Sequence, residues 1–252
     1  MISIDDSRAI LPKHSSKRWA RRRIEEIHGL VVHQTAGSRT ALANAEYHVG
    51  ANHISATGCP GLCYTYFIET DGKIIWANDQ EDITWSQATD HGRAPWTDLN
   101  GNRNFISVCV GGNFSAEGYV GKHIPTDAQI ASLEKLWEHL QATLKLKKQA
   151  IFGHYHFGKP TCPGTVLSTK VEEWRSKGVY LPQSDAEWQL LLVACGFDLG
   201  NFGPGQNGVD GHWGRKSQQA LIQAQTSFNI PITGYRDRYT AIELANSVVE
   251  SR

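Results

Sequence analysis

Residues 153–164 read GHYHFGKPTCPG. Two histidines, a lysine and a cysteine stand there in a segment braced by proline and glycine. Imidazole and thiolate together suit zinc. His154 and Cys162 are eight residues apart, the first closing a predicted short strand (AIFGH) and the second inside the Pro/Gly loop that follows. Such a loop folds back readily enough to bring both side chains to one ion. His156 competes with His154, because in an extended segment the two share a face. Two ligands do not hold an ion, and the stretch GLVVHQTAG, residues 29–37, offers a third in His33. It sits where a short buried-strand pattern runs into a polar turn. Three protein ligands leave a fourth position open for water, the mark of a catalytic zinc rather than a structural one.

Between these two stretches the chain reads as alternating strands and helices. YTYFIETDGKIIWA, from residue 64, predicts a hairpin about an Asp71-Gly72 turn. FISVCVGG, from residue 105, is a further β-branched and aromatic run. Thr126 with Gln129 forms a capping-box signature for a helix carrying Ile130, Leu133, Trp137, Leu140 and Leu144. Residues 166–177 read as helical again. The expected fold is therefore an α/β domain, a central mixed sheet flanked by helices, over residues 29–178.

A linker is expected at 179–184 and a small all-α domain at 185–252. Ser184 with Glu187 predicts the first of its three helices, residues 215–228 the second, and Thr240 with Glu243 the cap of the third. A Gly/Asn-rich loop, DLGNFGPGQNGVDGHWG, joins the first two. Gly211 and Gly214 in it suit a turn with unusual backbone angles. Residues 1–28 read as a polar basic leader, with six Lys or Arg within KHSSKRWARRR. It is expected to be a solvated helix face, or a segment drawn to an anionic polymer.

Composition narrows the class. The 252 residues are 40% apolar and carry 25 basic against 25 acidic side chains. A balanced charge excludes a dominant nucleic-acid-binding field. No apolar run reaches a membrane span of about 18 residues, and the N-terminus lacks a secretory apolar core. Five cysteines, an odd number, argue against a full disulfide framework. Cys59 and Cys63 in CPGLC are read as free thiols at a turn, since their spacing is not C-x-x-C.

VVHQTAG, FGHYH and TCPG together resemble the zinc motifs of the N-acetylmuramoyl-L-alanine amidases. The similarity is closest to the type-2 branch that phage amidase lysozymes share with peptidoglycan-recognition proteins. The family's spacing from second histidine to cysteine matches His154 to Cys162 and not His156, so the resemblance implies zinc held by His33, His154 and Cys162. It also implies Tyr64 as the active-site tyrosine and places Cys109 where the aspartate-type branch has a glutamate. His91 and Asn104 resemble substrate-groove positions, and Thr161 is a further candidate for substrate contact. Phage amidases carry a catalytic lysine two residues before the third ligand. Here that position is Pro160, and the expectation moves to the neighbouring Lys159.

The implied reaction is hydrolysis of the amide between N-acetylmuramic acid and L-alanine in bacterial peptidoglycan, by a lytic enzyme. The alternative is a protein that binds peptidoglycan without cutting it. The C-terminal segment resembles the peptidoglycan-binding domain 1 family through GFD, VDGHWG and SQQAL, which implies a groove at Asp210 and Trp213. The expected partner is peptidoglycan, the expected state a monomer. Without a secretory core, the expected route to the wall runs through a phage-type membrane lesion or injection by a secretion system.

Overall fold

The computed structural model describes residues 2–37, 40–87, 100–114, 124–177, 181–228, 230 and 232–250. The chain divides into two compact units, the first ending at Trp174 and the second beginning at Arg175.

The first unit is built on a six-stranded mixed sheet. Its strands are β1 (Asp5–Asp6), β3 (Gly29–Gln34), β4 (Tyr66–Ile68), β5 (Ile74–Trp76), β7 (Phe105–Val110) and β8 (Ile151–Gly153), in the order β1-β5-β4-β7-β3-β8. A separate two-stranded ribbon pairs β2 (Ala20–Arg21) with β6 (Asp82–Ile83). In the main sheet β4, β7, β3 and β8 run parallel, while β4 and β5 are the antiparallel arms of the expected hairpin. β3 and β7 lie in the middle and are buried along their whole length. That is why GLVVHQ and FISVCV read as continuous runs rather than alternating ones.

Side-chain alternation sends the two faces of these strands to different helices. Leu30, Val32, Ile106, Val108 and Val110 pack with Leu133, Leu136, Trp137 and Leu140 of α3 (Asp127–Leu144) and with Leu167 and Val171 of α4 (Thr165–Arg175). Each such aliphatic side chain contributes roughly 1.5–3 kcal/mol on full burial, so packing rather than helix propensity fixes α3. On the opposite face Ala41 and Ala45 of α1 (Ala41–Val49) meet Phe67, Ile75 and Cys109. α1 was not legible beforehand: ALANAEYHV has no broad apolar stripe, and two alanines suffice because the helix lies close against the sheet. The short helix α2 (Gly101–Asn104) leads straight into β7.

The expected leader is not a solvated appendage. Residues 2–28 belong to the first unit: β1 adds to the sheet edge beside β5, β2 forms the ribbon, and Leu11 is buried. The basic run is consumed by carbonyl groups that composition cannot reveal. The buried Arg22 guanidinium donates to the carbonyls of Gln80, Asn102, Arg103 and Phe105 at 2.8–2.9 Å. Lys13 Nζ donates to Ala77 O at 2.9 Å and Asn78 Oδ1 at 2.6 Å, and Lys17 Nζ to Thr57 O at 3.0 Å.

The second unit contains α5 (Asp185–Ala194), α6 (Arg215–Ser227) and α7 (Arg238–Glu250) around Trp188, Leu192, Leu199, Leu221 and Leu244. The capping box at Ser184 and Glu187 forms as expected. α7 starts earlier than expected. The Asp237 carboxylate accepts from Thr240 N at 2.7 Å and caps it, while Thr240 is buried inside the helix. Gly211 has φ +76°, the left-handed conformation the turn requires. Gly214 instead is extended and opens α6.

Candidate metal centre

The two strands that carry the histidines are parallel neighbours, with Val32 opposite Gly153. His33 is the next residue of β3, and His154 is the first residue beyond β8 and opens a short 3₁₀ turn (His154–Phe157), so the register sets them side by side at the C-terminal edge of the sheet, where open α/β sheets gather their ligands. Their Nδ1 atoms are 3.1 Å apart. Cys162 returns through the Pro/Gly loop: Tyr155 N donates to Cys162 O at 2.8 Å and Cys162 N to Lys159 O at 3.0 Å. Gly153 is required at the start of this loop, because a Cβ there would lie 2.1 Å from the Tyr155 ring. One ligand atom from each of His33, His154 and Cys162 falls within 4.8 Å of the others.

This donor set fits zinc. Two nitrogens about 2.0–2.1 Å from one tetrahedral ion stand about 3.3 Å apart, close to what the imidazoles already hold. Nε2 of His33 is buried with no hydrogen-bond partner among the described residues. Burial, and secondarily the adjacent His154, push the His33 imidazole well below its ordinary range, so the ring is neutral at pH 7 and one of its nitrogens offers a lone pair. Burial also pushes the Cys162 thiol up to about 12, opposed by the Gln34 N–H and the nearby Lys159 charge. A cation would reverse that balance and deprotonate the sulfur.

His156, the competitor, faces elsewhere. Its Nδ1 lies 3.2 Å from Gly153 N, and its Nε2 3.3 Å from the Glu172 carboxylate, which the Tyr155 hydroxyl also contacts. It braces the loop.

Gln34, which the sequence did not flag, ties the centre together. Its backbone N–H donates to Cys162 Sγ at 3.4 Å, and its side-chain amide donates to Thr161 O at 2.9 Å. Its Oε1 accepts from Phe114 N. One buried amide thereby clamps β3, the segment after β7 and the cysteine loop.

Tyr64 packs its ring 5.4 Å from that of His33 and 5.8 Å from that of His48. Asn78 fixes its backbone by donating to Tyr64 O at 2.7 Å. Its ring packs against the cluster that holds Cys109, the residue paired with His33 in the neighbouring strand. Burial, with the surrounding thiols, holds the Tyr64 phenol well above its usual range, so it stays a proton donor at neutral pH. Lys159 and Thr161 are exposed on the cysteine loop beside the trio.

Four expected contacts remain. Asn104 precedes β7, whose first residue pairs with Gly29, so it lies at the opposite end of the parallel sheet from His33. Five residues of strand separate the two levels, roughly 16 Å. There it is structural: its Nδ2 donates to Glu26 O at 2.9 Å and its Oδ1 accepts from Asn100 N at 2.8 Å. Reading it as a position just before the strand overlooked which end of a parallel strand faces the ligands. His91 lies outside the described residues. Asp210 and Trp213 belong to the second unit, where Asp210 Oδ1 accepts from Gln189 Nε2 at 2.8 Å and Trp213 Nε1 donates to Gln218 Oε1 at 2.9 Å. The Arg236 guanidinium lies 4.3 Å over the Trp213 ring.

The family described as N-acetylmuramoyl-L-alanine amidase matches residues 23–165. No curated protein matches the chain. Among solved structures, bumblebee peptidoglycan-recognition protein SA is 16% identical, with 69% of this chain covering 96% of that one and a TM-score of 0.52. Drosophila peptidoglycan-recognition protein SD is 14% identical, with 69% of this chain covering 95% of that one and a TM-score of 0.51. The N-acetylmuramoyl-L-alanine amidase LysC from Clostridium intestinale URNW is 20% identical, with 70% of this chain covering 97% of that one and a TM-score of 0.47. At these identities the recognition proteins show a shared fold.

Proposed function

Since this chain belongs to the N-acetylmuramoyl-L-alanine amidase family, we propose that its first unit hydrolyses the amide between N-acetylmuramic acid and L-alanine in bacterial peptidoglycan, with zinc as cofactor. The observation that carries the reading is the convergence of His33, His154 and Cys162 at the strand ends. Zinc bound there would polarise the amide carbonyl and bring the pKa of a water down from 15.7 to about 7.

The protein's own groups supply the rest. His33 and Cys162 hold their positions through the β3 register and the Gln34 clamp. Tyr64, kept protonated by burial, donates a hydrogen bond to the oxygen on which charge develops when the carbonyl is attacked. Lys159, exposed on the cysteine loop, is within reach to add a second positive contact or to carry a proton to the leaving amine. Thr161 would line the same rim. The second unit, as a wall-binding module acting through Trp213 and Asp210, would hold the catalyst near an insoluble polymer and raise its effective concentration there.

A second reading, binding without cutting, is favoured by one feature: Pro160 occupies the position from which a lysine is expected to act. One experiment separates the two. Wild type and Cys162→Ser are assayed for zinc and incubated with purified sacculi, and the products are analysed by mass spectrometry. Release of stem peptides with a free L-alanine amino terminus by wild type alone supports the amidase. Zinc and sacculus binding without release establishes the recognition reading.

A further inference from the structure

The backbone that leads into Tyr64 is held by two side chains of opposite polarity. Asn78 Nδ2 donates to Leu62 O and to Tyr64 O, each at 2.7 Å. His48, in the last turn of α1, takes the donor between them: its Nδ1 accepts from Cys63 N at 3.2 Å. An imidazole nitrogen accepts only when it carries no proton, so this bond selects the neutral tautomer with hydrogen on Nε2. His48 is buried, and burial, with His53 second, draws its ring down to about 4, which keeps it neutral at pH 7. The same imidazole also touches the side chain whose backbone it steadies. The ring centroids of His48 and Tyr64 are 5.8 Å apart, and those of Tyr64 and His33 are 5.4 Å apart.

We propose that His48 is a positioning residue that sets the Tyr64 phenol at the metal trio, by fixing the peptide N–H just before Tyr64 and packing against its ring. The inference rests on the reading of Tyr64 as the hydrogen-bond donor at the metal, and it adds a residue outside the trio that acts through Tyr64. A phenol on a peptide unit free to rotate loses its aim, and a misplacement of about 1 Å costs up to roughly 10²-fold in rate. The bond from Cys63 N removes that freedom one residue before the ring. Ala41 and Ala45 on the same helix pack against the sheet and offer no acceptor, so His48 is the α1 side chain that reaches this segment.

Replacing the side chain leaves the surrounding loop its own anchor. The His48 carbonyl accepts from Cys59 N at 2.7 Å and from Asn52 Nδ2 at 2.8 Å, and both bonds belong to the backbone of residue 48. Two variants of the full chain then separate the bond from the ring. His48→Phe keeps an aromatic ring and removes the acceptor. His48→Asn removes the ring and keeps an acceptor at the same reach from the backbone. Each is made alone and together with Tyr64→Phe.

On soluble peptidoglycan fragments, His48→Phe is expected to lower kcat roughly 10–10²-fold with KM and zinc content unchanged. His48→Asn is expected to lose less. Added to Tyr64→Phe, His48→Phe is expected to cost nothing further, because the group it positions is already gone. Equal losses from His48→Phe in the two backgrounds would show a general structural role and overturn the proposal. A second readout does not need hydrolysis. The chain is labelled with fluorotyrosine and loaded with cobalt, whose paramagnetic shift depends on distance, and the Tyr64 fluorine line is identified by its loss in Tyr64→Phe. The cobalt-induced shift of Tyr64 is expected to change in His48→Phe, while that of Tyr155, the neighbour of His154, stays as it is. An unchanged Tyr64 shift overturns the proposal even where hydrolysis is normal. A changed shift in a chain that hydrolyses nothing upholds the positioning and removes the amidase reading. A wild type with no cobalt-induced shift overturns the proposal together with the metal reading.

Discussion

Two clusters of buried polar side chains differ in one respect. In the second unit, Gln189 and Gln225 are buried and fully engaged. Gln189 Nε2 donates to Asp210 Oδ1 at 2.8 Å, to His212 O at 3.0 Å and to Ser217 Oγ at 3.0 Å, and its Oε1 accepts from the backbone of Asp210 at 3.1 Å and Gly211 at 2.8 Å. Gln225 does the same for the turn at Thr233–Tyr235 and for Thr240. In the first unit, His33, His154 and Cys162 converge on one another, and Nε2 of His33 has no partner among the described residues. A satisfied network is a structural brace. A buried nitrogen left without a partner, as His33 Nε2 is among the described residues, carries a desolvation cost that the satisfied network avoids. The difference is physical grounds for locating chemistry in the first cluster and not the second.

The largest effect that would break this contrast is expected at the trio. Cys162→Ser should abolish zinc retention and sacculus digestion, whereas His156→Ala should keep the metal. Equal metal loss in the two would return His156 to the ligand set. Next comes Tyr64→Phe, which removes one donor without disturbing the trio. Its turnover should fall roughly 10²–10³-fold at unchanged zinc content. A variant that turns over normally would assign the oxyanion contact to another group.

Gln34→Leu sharpens the contrast from within the site, because it removes a clamp rather than a ligand. Metal affinity should drop about 10–100-fold, read by competition with a chromophoric chelator, while the ligand set remains complete. In the second unit, Gln189→Leu removes the buried amide that bonds Asp210, Gly211, His212 and Ser217, at a cost of about 0.5–1.5 kcal/mol for each hydrogen bond lost. Urea unfolding should register that loss with zinc content unchanged. A change in zinc instead would mean the two clusters are not independent.

The smallest effect is electrostatic. The Arg8 guanidinium holds the Asp6 carboxyl down near about 2. Its folded value lies below its unfolded one, so the stabilisation is present above about pH 4 and is lost as the pH falls through about 2. Arg8→Ala should move the acid-unfolding midpoint slightly upward, with no change at neutral pH in metal binding.

Much of the fold was legible because local physics decided it. The capping boxes at Thr126 and Ser184, the Asp71-Gly72 hairpin and the unbroken apolar runs of β3 and β7 are short-range patterns, and each folds where it was expected. Other features depended on distant partners. The basic run at 13–23 was misread because Lys13 and Arg22 donate to carbonyls some sixty to eighty positions later and Arg21 pairs with Asp79 and Asp82. Asn104 was misplaced because a sequence does not say which end of a parallel strand faces a ligand. α1 was missed because alanine packing against a sheet leaves no amphipathic signature.

Within the candidate centre the division is the same. Residue types offered His154, His156, Cys162 and His33 as candidate ligands, and the family resemblance joined His33, His154 and Cys162 into one set. The tertiary structure sets His154 rather than His156 beside His33, by placing Val32 opposite Gly153, and only it revealed Gln34 as the clamp. Sequence fixes chemistry and local periodicity, whereas register between strands more than a hundred residues apart is set by the packing of the whole sheet.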